Sequence, residues 1–236
     1  MPKTRTNGVS MNPWVELGRA SIPNDGGELK LSQRGEEFSI RLSGVRGELM
    51  NSRVHGSEES LSELGCAHIT TKADAHVLVG GLGMGFTLAA ALKAVPSTAK
   101  VSVAELIPEV VEWNKGDLGA CANRPLDDAR THVCLGDVAE LFAQGEAKYD
   151  AILLDVDNGP EGLTQTENHW LYSEKGIRAI SRTLRPEGML AIWSAGPDPL
   201  FVIRLKKAKF QVTVRTVRAR PGKGSYHTIF LAKKRA

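Results

Sequence analysis

Four acidic residues in this 236-residue chain stand where apolar runs stop. Glu105 follows Val101-Ser-Val-Ala, Asp137 comes one glycine after Thr131–Leu135, Asp155 closes Tyr149-Asp-Ala-Ile-Leu-Leu, and Asp157 lies two residues further on. A carboxylate at the end of a buried strand is costly to leave unpaired, so each invites a chemical reading. Glu105 can accept both hydroxyls of a ribose. Asp137, or the amides beside it, can hold an adenine edge. Asp155 and Asp157 can deprotonate an amine or hydroxyl nucleophile, or anchor an ammonium group. Each also has a purely structural reading. Glu105 can be a helix cap or surface acid, Asp137 can cap a helix opening at Val138, and Asp155-Val-Asp-Asn-Gly-Pro-Glu-Gly162 can be a turn held by its own Asp and Asn side chains.

What must position these acids is a repeating strand–helix chain. Its most specific segment is His76-Val-Leu-Val-Gly-Gly-Leu-Gly-Met-Gly-Phe86, a short strand running into a turn that contains Gly80, Gly81, Gly83 and Gly85. Glycines there let the backbone turn sharply and approach a ligand closely. With Glu105 about twenty residues on, the layout is that of a nucleotide-binding α/β unit. The alternation predicts strand 76–80, helix 86–95, strand 100–105, helix 108–116, strand 131–135, helix 138–144, strand 149–155, helix 173–184 and strand 189–193. A closing hairpin pairs 210–217 with 227–232. The near-continuous apolar run at 149–154 fits the centre of a parallel sheet covered on both faces. Upstream, Glu28–Gln33 and Glu37–Leu42 alternate as strands around the turn residues Asn24–Gly27. Ser57–His68 reads as a helix capped by Ser57. The division expected is a small β-strand region over 1–56 and a nucleotide-binding domain over 57–236. The small sheet is too slight for a core of its own and should pack on the main domain or on another subunit, making a homodimer.

Composition narrows the class. With 42% hydrophobic and 24% charged residues and a net charge of +3, the chain is an ordinary globular protein. No apolar run approaches the roughly 20 residues that span a bilayer, and the N-terminus has no secretory apolar core. Cys66, Cys121 and Cys134 are odd in number and show no metal-ligand spacing, which suits a reducing, cytoplasmic setting. Residues 204–236 carry eleven Lys or Arg and no acid. Nucleic acid is one reading of that tail, but basic side chains on a solvated sheet edge also discourage edge pairing, and that reading is preferred. No His-Glu spacing matches a zinc site, so no metal is expected. His169, beside Trp170 and Tyr172, can line a substrate pocket or cover the adjacent helix. Met84 and Phe86 flank the glycine turn, as packing or as ligand contacts.

The stretches Gln33–Ile40, Ser57-Glu-Glu-Ser-Leu61, Val77–Leu88, Val103-Ala-Glu105, Gly136-Asp137, Tyr149–Asp155 and Leu171-Tyr-Ser-Glu174 resemble the spermidine synthase family of aminopropyltransferases. The resemblance implies a Rossmann-like, class I S-adenosylmethionine-dependent methyltransferase fold: an α/β domain with a mostly parallel sheet and a C-terminal antiparallel hairpin, preceded by a small N-terminal β region. It also implies decarboxylated S-adenosylmethionine as cosubstrate, with Glu105 on its ribose and Asp137 near its adenine. Asp155 would then free the attacking amine of putrescine, and family members often pair through the N-terminal sheet. Four departures stand out. Met84 replaces an acid that grips the aminopropyl ammonium, and Ser57-Glu58 replaces a tyrosine–histidine pair. The spacing of the two loop acids differs, and the usual C-terminal substrate elements do not follow the hairpin. Glu58, His169 and Tyr172 are the candidate substrate-binding residues. Methyl transfer from intact S-adenosylmethionine, and a non-catalytic nucleotide-binding relative, are the alternative readings.

Overall fold

A computed structural model of the chain describes residues 12–236 apart from 24, 25, 46, 144, 157–169 and 221. Asp157 and His169 therefore lie outside the described residues. The N-terminal part forms a four-stranded antiparallel sheet, β1 (Val15–Ser21), β2 (Glu28–Arg34), β3 (Glu37–Leu42) and β4 (Met50–Asn51). Helix α1 (Gly56–Cys66) follows. Then come β5 (His76–Gly80), α2 (Phe86–Ala94), β6 (Lys100–Glu105), α3 (Pro108–Lys115), β7 (Thr131–Leu135), α4 (Val138–Ala143), β8 (Tyr149–Leu154), α5 (Glu174–Thr183), β9 (Leu184–Ser194), α6 (Pro199–Lys207), β10 (Gln211–Arg220) and β11 (Lys223–Lys233). The main sheet has the order β10-β11-β9-β8-β5-β6-β7. It is parallel from β9 to β7, with β11 and β10 antiparallel at one edge.

Period two divides the core. Val77, Val79, Leu153, Ala191 and Ile229 point to one face and pack with Leu61 of α1 and Leu88 of α2. Leu78, Ile152, Leu154, Leu190, Ile192 and Phe230 point to the other, against Ile177 and Ile180 of α5 and Phe201 and Leu205 of α6. Every residue of β8 is buried, as a central parallel strand covered by helices requires. The N-terminal sheet does not stand apart. Its Ala20, Ile22, Leu29, Leu31, Phe38 and Ile40 belong to the first of these cores. A Cβ on Gly18 of β1 would stand 2.7 Å from Nε1 of Trp113 on α3, so the sheet docks closely there.

Three local expectations change. Ser57 is not the cap of α1. His55 holds the N-cap position, and the Ser57 hydroxyl donates to Glu58 Oε2 at 2.6 Å. Strand β9 begins at Leu184 rather than 189, because Arg185-Pro-Glu-Gly188 is absorbed as an irregularity between the pairs Tyr149↔Leu184 and Ala151↔Met189. Helix α6 was not anticipated, although its start is written locally: Pro199 occupies its first turn and the Asp198 carboxylate accepts from Phe201 N at 2.8 Å. Among the described residues no helix is long and apolar enough to cross a membrane, and all three cysteines are free.

Candidate active site

A cavity of about 410 Å³ opens beyond the carboxyl ends of β5, β6 and β8, where open parallel sheets collect ligands. Its floor is the glycine turn. Gly81 and Gly83 line it; Gly80 and Gly85 do not, and serve packing instead. A Cβ on Gly80 would stand 2.7 Å from Leu154, and one on Gly85 would stand 3.1 Å from both Asn114 and Pro125. The need for glycine at Gly81 is also internal. Its φ is +87°, and a Cβ would lie 2.5 Å from the Asp155 carbonyl oxygen. The turn approaches its own protein at least as closely as it could approach a ligand. Asn114 ties it down from α3, donating from Nδ2 to Gly83 O at 2.8 Å.

Glu105 sits at the edge of the cavity and is 8% exposed. One carboxylate oxygen accepts from Leu82 N and the other from Ile107 N, both at 2.9 Å. Burial pushes its pKa up, and the backbone N–H groups of Ile107 and Leu82 pull it back. The residue thus clamps the glycine turn to the end of β6. Asp137 is exposed at the rim. It lines the cavity, and its Oδ1 accepts from Ala139 N at 2.8 Å at the start of α4.

Asp155 follows β8 and accepts from the Thr87 hydroxyl at 2.6 Å. Burial is the larger cause, and the charge of Glu58 the second, of a pKa pushed up to about 7. Glu58, in the first turn of α1, lines the same cavity, and its carboxyl is likewise pushed up by burial. The site therefore brings together Glu58, Glu105, Asp137, Asp155 and two of the four glycines. Tyr172 is elsewhere: it is 4% exposed in the core on the opposite face of the sheet, edge-on to Phe201 at 5.6 Å. Its neighbours in sequence suggested a pocket wall, but its side chain serves the packing of α6. Met84 and Phe86 both line the cavity, and Phe86 is stacked on His55 at 4.3 Å.

Several lining residues escape a reading along the chain. Thr87 is the second residue of α2, and Trp193 and His227 come from β9 and β11. Ile22, Leu29, Leu49 and Met50 come from the N-terminal region. Trp193 had a usable signal, since it lies near the carboxyl end of a parallel strand just as Asp155 does. Its ring meets His227 at 4.7 Å, and burial lowers the pKa of that histidine, favouring the neutral ring. Among the described residues that line the cavity there are four carboxylates and no Lys or Arg. No cluster of three His, Cys, Asp or Glu that could hold a metal ion occurs among the described residues.

Known proteins resemble this chain in sequence and in fold. The polyamine aminopropyltransferase of Sulfolobus acidocaldarius is 28% identical over 123 residues, which are 52% of this chain and 39% of that protein. That of Bacillus mycoides is 31% identical over 122 residues, 52% of this chain and 42% of its own length. The chain thus matches about four tenths of the length of these relatives. Among solved structures, a spermidine synthase in complex with the transition-state analogue AdoDATO superposes with a TM-score of 0.72 at 18% identity, covering 93% of this chain and 73% of that one. Spermidine synthase from Thermotoga maritima gives 0.70, also at 18% identity, covering 93% and 72%. These likenesses carry the fold. The spermine/spermidine synthase domain matches residues 56–201, more than half of the sequence and every described carboxylate of the cavity. The chain belongs to the spermine/spermidine synthase family.

Proposed function

We propose that the chain transfers an aminopropyl group from decarboxylated S-adenosylmethionine to a small amine such as putrescine. The observation that carries this reading is the charge of the cavity: four carboxylates and no Lys or Arg among its described lining residues. Both substrates are cationic, and neither has a carboxylate that would meet Glu58 and Asp155. Intact S-adenosylmethionine would bring one, with no Lys or Arg among the described lining residues to receive it. In the step itself the ammonium of the acceptor gives a proton to Asp155. The freed nitrogen lone pair attacks the methylene carbon beside the sulfonium. The carbon–sulfur bond breaks, its electrons remain on sulfur, and 5′-methylthioadenosine leaves. Positioning and desolvation supply most of the gain.

In this reading Gly81, Gly83 and Glu105 hold the nucleoside, Asp137 borders the adenine, and Glu58 receives the acceptor cation. Asp157 and His169 remain candidates from sequence for the acid loop and the substrate wall. The N-terminal region to residue 56 would complete the acceptor side, and the remainder would bind the nucleoside. We further infer a homodimer through the N-terminal sheet, in a reducing, cytoplasmic setting. The exposed Val15 and Leu17 of edge strand β1 and the three free cysteines support these two points.

Met84 favours a second reading. It is an apolar, buried lining residue where the family resemblance implies an acid for the aminopropyl ammonium, and without that acid methyl transfer from intact S-adenosylmethionine competes. Calorimetric titration of the decarboxylated and intact forms side by side, with mass spectrometry of products formed from putrescine, separates the two. Preferential binding of the decarboxylated form with aminopropyl product is expected. Methyl product alone would overturn the proposal.

A further inference from the structure

The carboxylate of Glu58 is more than a docking point for a cation. We infer that Glu58 acts through Asp155: the two carboxyls behave as one unit carrying a single negative charge in the empty cavity, so that Asp155 becomes a base when a cationic acceptor enters. This deepens the proposed aminopropyl transfer and, for its catalytic consequence, rests on that reading.

Asp155 and Glu58 line one cavity, and each accepts from a neighbouring hydroxyl, Thr87 Oγ1 for Asp155 and Ser57 Oγ for Glu58, both at 2.6 Å. Among the described residues that line the cavity, no Lys or Arg offers them a countercharge. From α1, Glu59 is turned aside by His55 Nδ1 at 3.0 Å. From β6, Glu105 is engaged by Leu82 N and Ile107 N, and beside α4, Asp137 is engaged by Ala139 N. From β9 and β11 come Trp193 and His227, the latter kept neutral by its burial. α2 contributes Thr87 and Phe86, and the glycine turn contributes backbone and apolar side chains. Two unneutralised carboxylates in a partly desolvated cavity cannot both ionise cheaply. The proton falls to Asp155, because Glu58 lies in the first turn of α1, where free backbone N–H groups favour negative charge. An arriving ammonium supplies the missing positive charge, and Asp155 then releases its proton to solvent, so that both carboxylates are ionised. The acceptor class that suits such a pair is a compact ammonium. A neutral alcohol or thiol would leave the second charge uncompensated.

The test reads Asp155 directly, without substrate. Protein carrying carbon-13 at the aspartate carboxyls is titrated by NMR, and the Asp155 resonance is identified by its loss in Asp155→Asn. A midpoint near neutrality is expected for the native protein. In Glu58→Gln it should fall by about one pH unit or more, a roughly tenfold loss of proton affinity. Glu58→Ala should show the same shift. A midpoint that moves by less than a few tenths in both variants, or a native midpoint near 4, would overturn the inference. The acid limb of kcat/KM should follow in the same direction, with KM for the diamine raised. A shifted resonance in a protein that makes no aminopropyl product would sink the functional reading and leave the carboxyl pair standing. An unshifted resonance in an active enzyme would do the reverse.

Discussion

Asp150 and Asp155 bracket the same strand, β8, and differ in almost everything that decides the energy of a buried carboxylate. Asp150, at the start of the strand, has a side chain only 2% exposed and is surrounded by donors. Lys72 Nζ and Arg185 reach it at 2.6 Å, and the backbone N–H of His76 at 2.8 Å. Burial pushes its pKa up, but Lys72, His76 and Arg185 outweigh burial and hold it below the usual carboxylate range. Asp155, at the far end, accepts from the Thr87 hydroxyl and faces Glu58, with its pKa near 7. The strand thus has near its start an acid neutralised by ion pairs, and just past its end an acid with no ion-pair partner among the described residues. The fold tolerates the second because a cavity at the carboxyl end of the sheet admits a ligand, whereas the amino end is closed by its own ion pairs.

Exchanging each acid for its amide should separate the two ends most sharply. Asp155→Asn should reduce turnover about 10²–10⁴-fold, the range for a lost general base, while affinity for 5′-methylthioadenosine stays nearly unchanged. Product formation and calorimetry on the same preparation check this, and equal turnover in both proteins would remove Asp155 from the mechanism. Asp150→Asn should leave turnover of the folded protein nearly intact and cost roughly 2–4 kcal/mol of stability near pH 7, because Lys72 and Arg185 lose a buried partner. Denaturant unfolding reads that loss.

The pH dependence of stability should have opposite signs at the two ends. The folded pKa of Asp150 is lowered, so its contribution is present above the unfolded value near 4 and is lost as pH falls through the folded value. The gap between native protein and Asp150→Asn should therefore close in acid. The folded pKa of Asp155 is raised to about 7, so ionising it costs stability progressively from about pH 4 up to that value. Asp155→Asn should then be more stable than the native protein by roughly 2–4 kcal/mol at pH 8.5, the gain fading toward pH 4. Parallel unfolding curves across pH would break the contrast.

Smaller effects test the two cavity acids that accept from backbone N–H groups. Glu105→Ala should weaken 5′-methylthioadenosine binding by about 1.5–3 kcal/mol. Stability should fall as well, because Leu82 N and Ile107 N lose their acceptor. Asp137→Ala should cost about 1 kcal/mol of stability, as expected for a residue accepting at a helix start. A larger loss of nucleoside affinity than of stability in this variant would shift its weight toward the ligand.

Much of this site could be read along the chain, for reasons that are local. Strands β5, β6, β7 and β8 follow from short apolar runs closed by polar or glycine residues, and the acids stand where those runs end. The place of Glu105 and Asp155 at strand ends was therefore legible from position alone, and so was the glycine turn between β5 and α2. The sense in which glycine is needed at Gly80 and Gly85 was not, because Leu154, Asn114 and Pro125 come from other elements. Tyr172 shows the same limit from the other side: its neighbours suggested a pocket, while its packing on Phe201 places it in the core. Trp193 and His227 meet because β11 lies beside β9, and Ile22 and Met50 reach the cavity because the N-terminal sheet docks against α3. The opposition of Glu58 and Asp155 has the same origin, since residues almost a hundred positions apart become neighbours only when α1 covers one face of the sheet. The sequence by itself determined which residues end strands and turn the chain, because hydrophobic period and glycine stereochemistry act over a few residues. Only the tertiary structure decided which charges face one another, because strand order and helix docking set those distances.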